Sequence, residues 1–302
     1  MRLTLRILFL PKNIMVPEIL QQLLNGLIIG ATYGLMAVGM TMIFGMMDII
    51  NFAHGEIYML GGVFAYYLVS LLGLNYFESI ALSVALVMAV GLIFDQLVLR
   101  KLRDEPTLIT ILVTIGLSIF LQSTVMLFWG PSPQGIPSPF PSKTIQIGPI
   151  FLTPFKIFMA AVTVAVIFGL HLMIQKTTLG KTMRAVFQEK EAAAIVGINI
   201  NKVYAINFAL GSGLAGLAGA LLGTLFVVYP NMGLIAVVKA FLIVIMGGMG
   251  NFLGAIFGGL LLGVVESMAA GFISSSYKDL FGLLIVMIVL VVRPYGLFGK
   301  KI

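Results

Sequence analysis

"ILQQLLNGLIIGATYGLMAVGMTMI", residues 19–43, runs for twenty-five residues without a charged side chain. A bilayer core of roughly 30 Å needs about 20 apolar residues of helix at 1.5 Å each, so this stretch is long enough to cross one. Comparable apolar runs follow at 57–74, 80–99, 108–129, 157–174 and 203–228, with shorter ones at 234–246, 252–272 and 280–292. Arg293 can snorkel and Tyr295 can anchor at the interface beside the last, short run. The expected fold is all-α: a polytopic transmembrane helical bundle, one domain over residues 1–302.

Composition supports that reading. Apolar residues make up 60% of the chain and charged ones 10%, where a soluble domain carries about a quarter. Mean hydropathy is +1.11. The net charge of +7 comes from short basic clusters between apolar runs, which suit loops facing an anionic leaflet and not a nucleic-acid groove. Cysteine is absent, which excludes a disulfide framework and any Cys-based metal site. The opening "MRLTLRILFLPKNIM" is basic, but its apolar piece at 7–10 is too short for a signal peptide. Met15 is a candidate initiator, with residues 1–16 read as an N-terminal extension.

Three loops carry the charge that sets orientation: Arg100, Lys101 and Arg103; then Lys176, Lys181, Arg184, Lys190 and Lys202; then Lys300 and Lys301. The positive-inside rule puts all three in the cytoplasm. Between the first two lies a Pro/Ser/Gly-rich segment whose seven prolines from 131 to 154 forbid helix, with "KTIQIG" able to form a short strand. Parity places that segment outside. Counting back through three spans starts the chain outside too, against the vote of Arg2, Arg6 and Lys12.

Glycine is dense in "GSGLAGLAGALLG" (211–223) and "GGMGNFLGAIFGGLLLG" (247–263). Small residues let backbones approach, the main attractive device between helices in lipid. "GSGLAG" also matches G-x-G-x-x-G, but inside an apolar span it fails the strand-to-helix context of a dinucleotide site. "LGKT" (179–182) resembles the end of a phosphate loop, yet Gln175 stands where that motif needs glycine.

Polar groups concentrate in "MMDIINFAHGEIYML" (46–60), which holds Asp48, Asn51, Phe52, His54, Gly55 and Glu56 between two apolar runs. A helix break inside a bundle is tolerated only where protein or water satisfies it, and ionisable residues there are functional candidates. Asn51 can satisfy freed backbone groups, and Gly55 can take angles other residues resist. The segment is expected near the inner face. It is read either as a path or gate element touching a zwitterion, or as a latch in which His54 or Glu56 pairs across helices. A second break, "MGGMGNFLG" (246–254), contains Asn251 and separates two pieces read as half-length, hinting at an internal duplication. Glu266 is a buried acid expected to bond a neighbouring span, Asp95 an interfacial charge close to Arg100, and His171 an ordinary residue near a span end.

"LGKTMRAVFQEKEAAAIVGININKV" (179–203) has helical spacing of Met183, Phe187, Ala194 and Ile198, with a stop or bend at Gly197. Residues 176–202 are read as a loop carrying one amphipathic helix. "EAAAIVG" (191–197) resembles the E-A-A-x-x-x-G loop of ABC importer permeases. "INFAHGE" (50–56) is similar to the signature of permeases for branched-chain amino acids, and of relatives that carry urea or other amino acids. The likeness also covers "GMGNFLGAIFGGLLLGVVES" and "RPYGLFG", so it runs from about residue 17 to the C-terminus.

The resemblance implies a bacterial-type inner-membrane permease that works with a second, similar permease, two ATPase subunits and an external binding protein. ATP and Mg would be bound by the ATPase subunits, and no cofactor by this chain. It also implies that the helix bearing Arg184, Glu189, Glu191, Ala192, Ala193 and Gly197 seats on an ATPase subunit. The Leu-Pro that follows the motif in many importers is missing, which leaves the docking register open. An intramembrane enzyme lacks support: His171 is the other histidine, and neither H-E-x-x-H nor G-x-S-x-G occurs. A secondary transporter would have no use for the docking loop. Leucine, isoleucine and valine are the expected cargo, with urea or other neutral amino acids as the alternative.

Overall fold

The structure is a computed structural model that describes residues 12–103, 105–141 and 143–299. Helix α1 (Lys12–Met47) is followed by α2 (His54–Tyr66), which continues into a π-helical turn, Tyr67–Leu71. Helix α3 spans Tyr76–Leu102 and contains a second π turn, Asp95–Leu99, and α4 spans Thr107–Trp129. Strands β1 (Ile145–Ile147) and β2 (Ile150–Leu152) form an antiparallel hairpin with Ile145 opposite Leu152. Then come α5 (Pro154–Lys176), α6 (Thr178–Gln188), α7 (Lys190–Ile195), α8 (Ile200–Leu225), α9 (Met232–Gly247), α10 (Phe252–Phe272) and α11 (Lys278–Val292). Among the described residues seven helices are long and apolar enough to cross a membrane, counting the 3₁₀ turn before α11 with it; α2 and α9 are shorter. The chain is an all-α polytopic bundle.

The bundle has two distinguishable ends. At the basic end, a cavity of about 630 Å³ brings together Asp48 after α1, Arg100 of α3 and Arg103 just after it, Glu189 and Lys190, and Asn201 of α8. At the opposite end the β hairpin is tied to α1, where Gln21 accepts from the Phe151 amide (2.7 Å) and donates to its carbonyl (2.9 Å). Helix α1 therefore starts at the hairpin end, the side that span counting requires. Arg2 and Arg6, which argue for the other side, lie outside the described residues, whereas residues 12–16 of the expected extension belong to α1.

Helix α8 is the axis of the core, buried at every position from 211 to 223. Glycine makes this possible. A β-carbon on Gly39 of α1 would collide with the Gly211 backbone, and one on Gly61 of α2 with the Gly216 backbone. Gly213 and Gly216 also admit Met88 and Val87 of α3. A second interlock joins α1 to α10, where Gly26 and Gly30 face Gly263 and Gly259 backbone to backbone. Such contacts gain van der Waals packing that bulkier residues would forbid. Helices α4, α5 and α11 pack around this core by one face each and show apolar outer faces, with Phe128 76% and Val291 85% exposed.

The second expected break is corrected by these contacts. Residues 248–251 form a turn at the basic end, with Gly248 and Gly250 at φ of 102° and 77°. Helix α10 beyond it crosses in full, so only α9 is short. What shortens α9 is the irregular segment 226–231 toward the hairpin end, where Val228 pairs with Gln134 in an isolated antiparallel bridge.

Candidate functional site

The polar break begins at the basic end and climbs into the bundle. Asp48 is exposed and adopts φ 52°, stopping α1 with its amide bonded to the Phe44 carbonyl. The chain is then irregular until Asn51, whose side chain satisfies a freed backbone group, as expected of it, by accepting from the Ala53 amide at 3.0 Å in the turn before α2. His54 Nε2 lies 3.2 Å from the Met36 carbonyl, and Ser118 Oγ donates to Glu56 Oε1 at 3.1 Å. Met36 is eleven residues from the end of α1, and Ser118 eleven from the start of α4. Eleven helical residues rise about 16 Å, half of a core of roughly 30 Å. His54 and Glu56 therefore sit near mid-depth and not close to one face, because six non-helical residues carry the chain inward before α2 starts.

Their contacts are between helices. Both are essentially buried, at 0% and 1% exposure. The second carboxylate oxygen of Glu56 lies against Gly233, the second residue of α9, where the positive end of that helix favours negative charge. Gly55 contributes closeness and not unusual angles: it is helical, and a β-carbon there would overlap the Gly233 backbone. Phe52 packs its ring 5.0 Å from Phe241, also on α9. Asn51 Nδ2, His54 Nδ1 and Glu56 Oε2 remain buried without a hydrogen-bond partner among the described residues.

The basic loop departs from the single expected helix. Glu189 is extended (φ −157°, ψ 99°) and separates α6 from α7, which resets the helical phase. Met183, Val186 and Ala193 consequently turn inward, while Phe187 and Ala194 do not share their face. Arg184 donates to the Ile174 carbonyl at 2.9 Å and to Gln175 Oε1 at 2.8 Å, closing the C-terminus of α5. Helix α7 ends in a Schellman turn: the Ile198 amide reaches the Ala193 carbonyl, the Gly197 amide that of Ala194, and Gly197 takes φ 86°. Glu191 and Ala192 are exposed, and Ile195 and Val196 stand bare at 85% and 75% exposure.

A helical bundle with this glycine-packed core and this loop has well-matched relatives. The family model described as "Branched-chain amino acid transport system / permease component" matches residues 22–292. The chain belongs to that permease family. The Pseudomonas aeruginosa high-affinity branched-chain amino acid transport system permease protein BraD is 37% identical over 94% of this chain and 98% of its own length. LivH proteins of the same description from Salmonella typhimurium and Escherichia coli are 34% and 33% identical, each over 93% of this chain and 96% of theirs. Among solved structures, "PsaBC from Streptococcus pneumoniae in complex with Fab" covers 91% of this chain and 92% of that chain at 14% identity, with a TM-score of 0.49.

In this permease a second polar site was not evident from sequence. Lys239, 7% exposed on α9, reaches Glu266 Oε1 of α10 at 2.5 Å and Asp279 Oδ1 of α11 at 2.7 Å, and lies 5.1 Å from the ring of Tyr33 on α1. Glu266 thus bonds a neighbouring span as expected. The available signal was Lys239 itself, the one charge in "MGLIAVVKAFLIVIMG". Asn251 caps α10 through the Gly254 amide (2.9 Å) and donates to the Phe298 carbonyl, which makes it a turn residue at the basic end. Asp95 is buried and pairs with Arg103; Arg103 also bonds Asn201 and stacks 4.7 Å from the Tyr204 ring. His171 is exposed, 6.4 Å from the Phe252 ring.

Proposed function

We propose that this chain is a permease subunit of an ATP-driven, binding-protein-dependent importer of leucine, isoleucine and valine in a bacterial-type inner membrane. The names of the BraD and LivH relatives support the cargo. The observation that carries the ATP-driven reading is the bare apolar pair Ile195 and Val196 on the Glu191–Gly197 turn at the basic end. By the positive-inside rule that end is cytoplasmic, where docking to a protein partner takes such apolar side chains out of water. Two ATPase subunits, holding ATP and Mg, are the partners proposed, together with a second permease and an external binding protein.

The coupling follows from how the loop is anchored. Arg184 fastens α6 to the end of α5, and Asn199 caps α8 immediately after the α7 turn through the Lys202 amide. A push on α7 is therefore delivered to α8, whose packing against α1, α2 and α3 spreads it through the core. Asn51, Phe52, His54, Gly55 and Glu56 act as a latch holding α2 to α1, α4 and α9, with Asp48 at its foot. The test is reconstitution of the full complex. Leucine uptake should require ATP and the binding protein, and Glu191→Arg should separate ATP hydrolysis from uptake while leaving the bundle folded. Uptake by this chain alone, driven by an ion gradient, would defeat the proposal.

A further inference from the structure

Toward the hairpin end, which the proposed function places outside, a cavity of about 280 Å³ opens between α1, α2, α8, α9 and α11. That volume suits a ligand at the small end of the usual range. The irregular segment 226–231 borders it, with Phe226 and Val227 52% and 41% exposed, and the Gln134–Val228 bridge ties that segment to the loop a delivering protein would meet. Leu222, Met232 and Ile235 supply an aliphatic wall. The polar wall is chemically two-sided: Lys278 and Asp279 line it together.

Two groups there are uncommitted, and a third is committed only in part. Lys278 forms no ion pair among the described residues. Tyr58 is 93% buried (7% exposed) and lines the cavity, and its hydroxyl makes no hydrogen bond among the described residues. Asp279 is bound to Lys239 through one oxygen only, and its side chain is 58% exposed. A buried tyrosine normally finds a partner for its hydroxyl, so a free one facing a cavity marks a place for a polar ligand atom.

We infer that this cavity is a transient binding site for a free aliphatic amino acid in its zwitterionic form. The ligand's carboxylate is received by Lys278 and the Tyr58 hydroxyl, its ammonium by Asp279, and its side chain by Leu222, Met232 and Ile235. Lys239 competes with the ligand for Asp279, which keeps the affinity low and lets cargo move on. The inference rests on the proposed function and adds to it a substrate subsite.

The experiment uses the complete complex in nanodiscs without the binding protein, titrated with L-leucine and read by ligand-observed saturation-transfer NMR. Lys278→Gln and Asp279→Asn should each weaken leucine binding about tenfold or more, the usual loss for a hydrogen bond to a charged group. Tyr58→Phe, which removes one oxygen and keeps the packing, should weaken it severalfold. 4-Methylpentanoate, lacking the ammonium, should bind weakly and be indifferent to Asp279→Asn. 3-Methylbutylamine, lacking the carboxylate, should be indifferent to Lys278→Gln. A cluster that merely holds helices together would not sort the two analogues in this way. If wild-type complex imports leucine with ATP but shows no saturable signal, or one that all three variants leave unchanged, the site is overturned and the importer stands. If it imports no branched-chain amino acid, both fall.

Discussion

Ile195→Ser/Val196→Ser removes the two side chains that the tip of α7 leaves 85% and 75% exposed. Fully burying an aliphatic side chain of this size contributes about 1.5–3 kcal/mol. Scaled by the exposed share of each, the pair offers about 2–5 kcal/mol to a partner that covers both. At 1.4 kcal/mol per decade, their loss should weaken ATPase docking by about 30- to 3,000-fold. The fold should hardly notice, since surface substitutions of this kind stay within about 0.5 kcal/mol. The assay is the dissociation constant between the detergent-purified permease pair and separately purified ATPase, beside thermal unfolding of the permease alone. ATP-dependent leucine uptake should fall in parallel. An unchanged dissociation constant with unchanged uptake would refute the docking argument and leave α7 as a helix lying on headgroups.

Three further outcomes test the interior and the α7 turn. Lys239→Met strands the buried Glu266 and should cost about 3–5 kcal/mol in unfolding, whereas Lys239→Met/Glu266→Met should recover most of that; equal losses would show that pairing is not what Lys239 provides. Gly61→Leu drives a side chain into the Gly216 backbone and should cost about 1–3 kcal/mol or prevent folding, while Gly116→Leu, with nothing within 4 Å of its β-carbon, should be neutral in the yield of monodisperse protein. Gly197→Ala forces an L side chain to φ 86° and should destabilise the α7 turn by about 1–2 kcal/mol, seen as faster hydrogen exchange at the Gly197 and Ile198 amides without change in α8.

Several of these features are readable in one dimension. The apolar run at 252–272 coincides with α10, and that at 108–129 starts one residue inside α4. The short strand in "KTIQIG" forms at Ile145–Ile147, and Gly197 stops α7 where its αL preference predicts. Other features were misread for a common reason. Asp95, expected as an interfacial charge close to Arg100, is instead buried and paired with Arg103, eight residues on. Helical spacing in the loop predicts one face, but a single extended residue, Glu189, rotates everything after it. The glycines of residues 246–254 predict a break between half-helices, but α10 is long enough to cross by itself.

The sequence by itself determined the solvent of this protein, the number and approximate limits of its apolar helices, and the family to which the chain belongs. Those properties depend on hydrophobic length, glycine density and local motif, each contained in a window of some twenty residues. Only the tertiary structure decided that His54 and Glu56 reach mid-depth, and that Lys239 joins acids 27 and 40 residues away beside a tyrosine of α1. Charge pairing inside a bundle depends on which helices touch and in what rotation. Contacts between backbones, made possible by glycines far apart in the chain, set both.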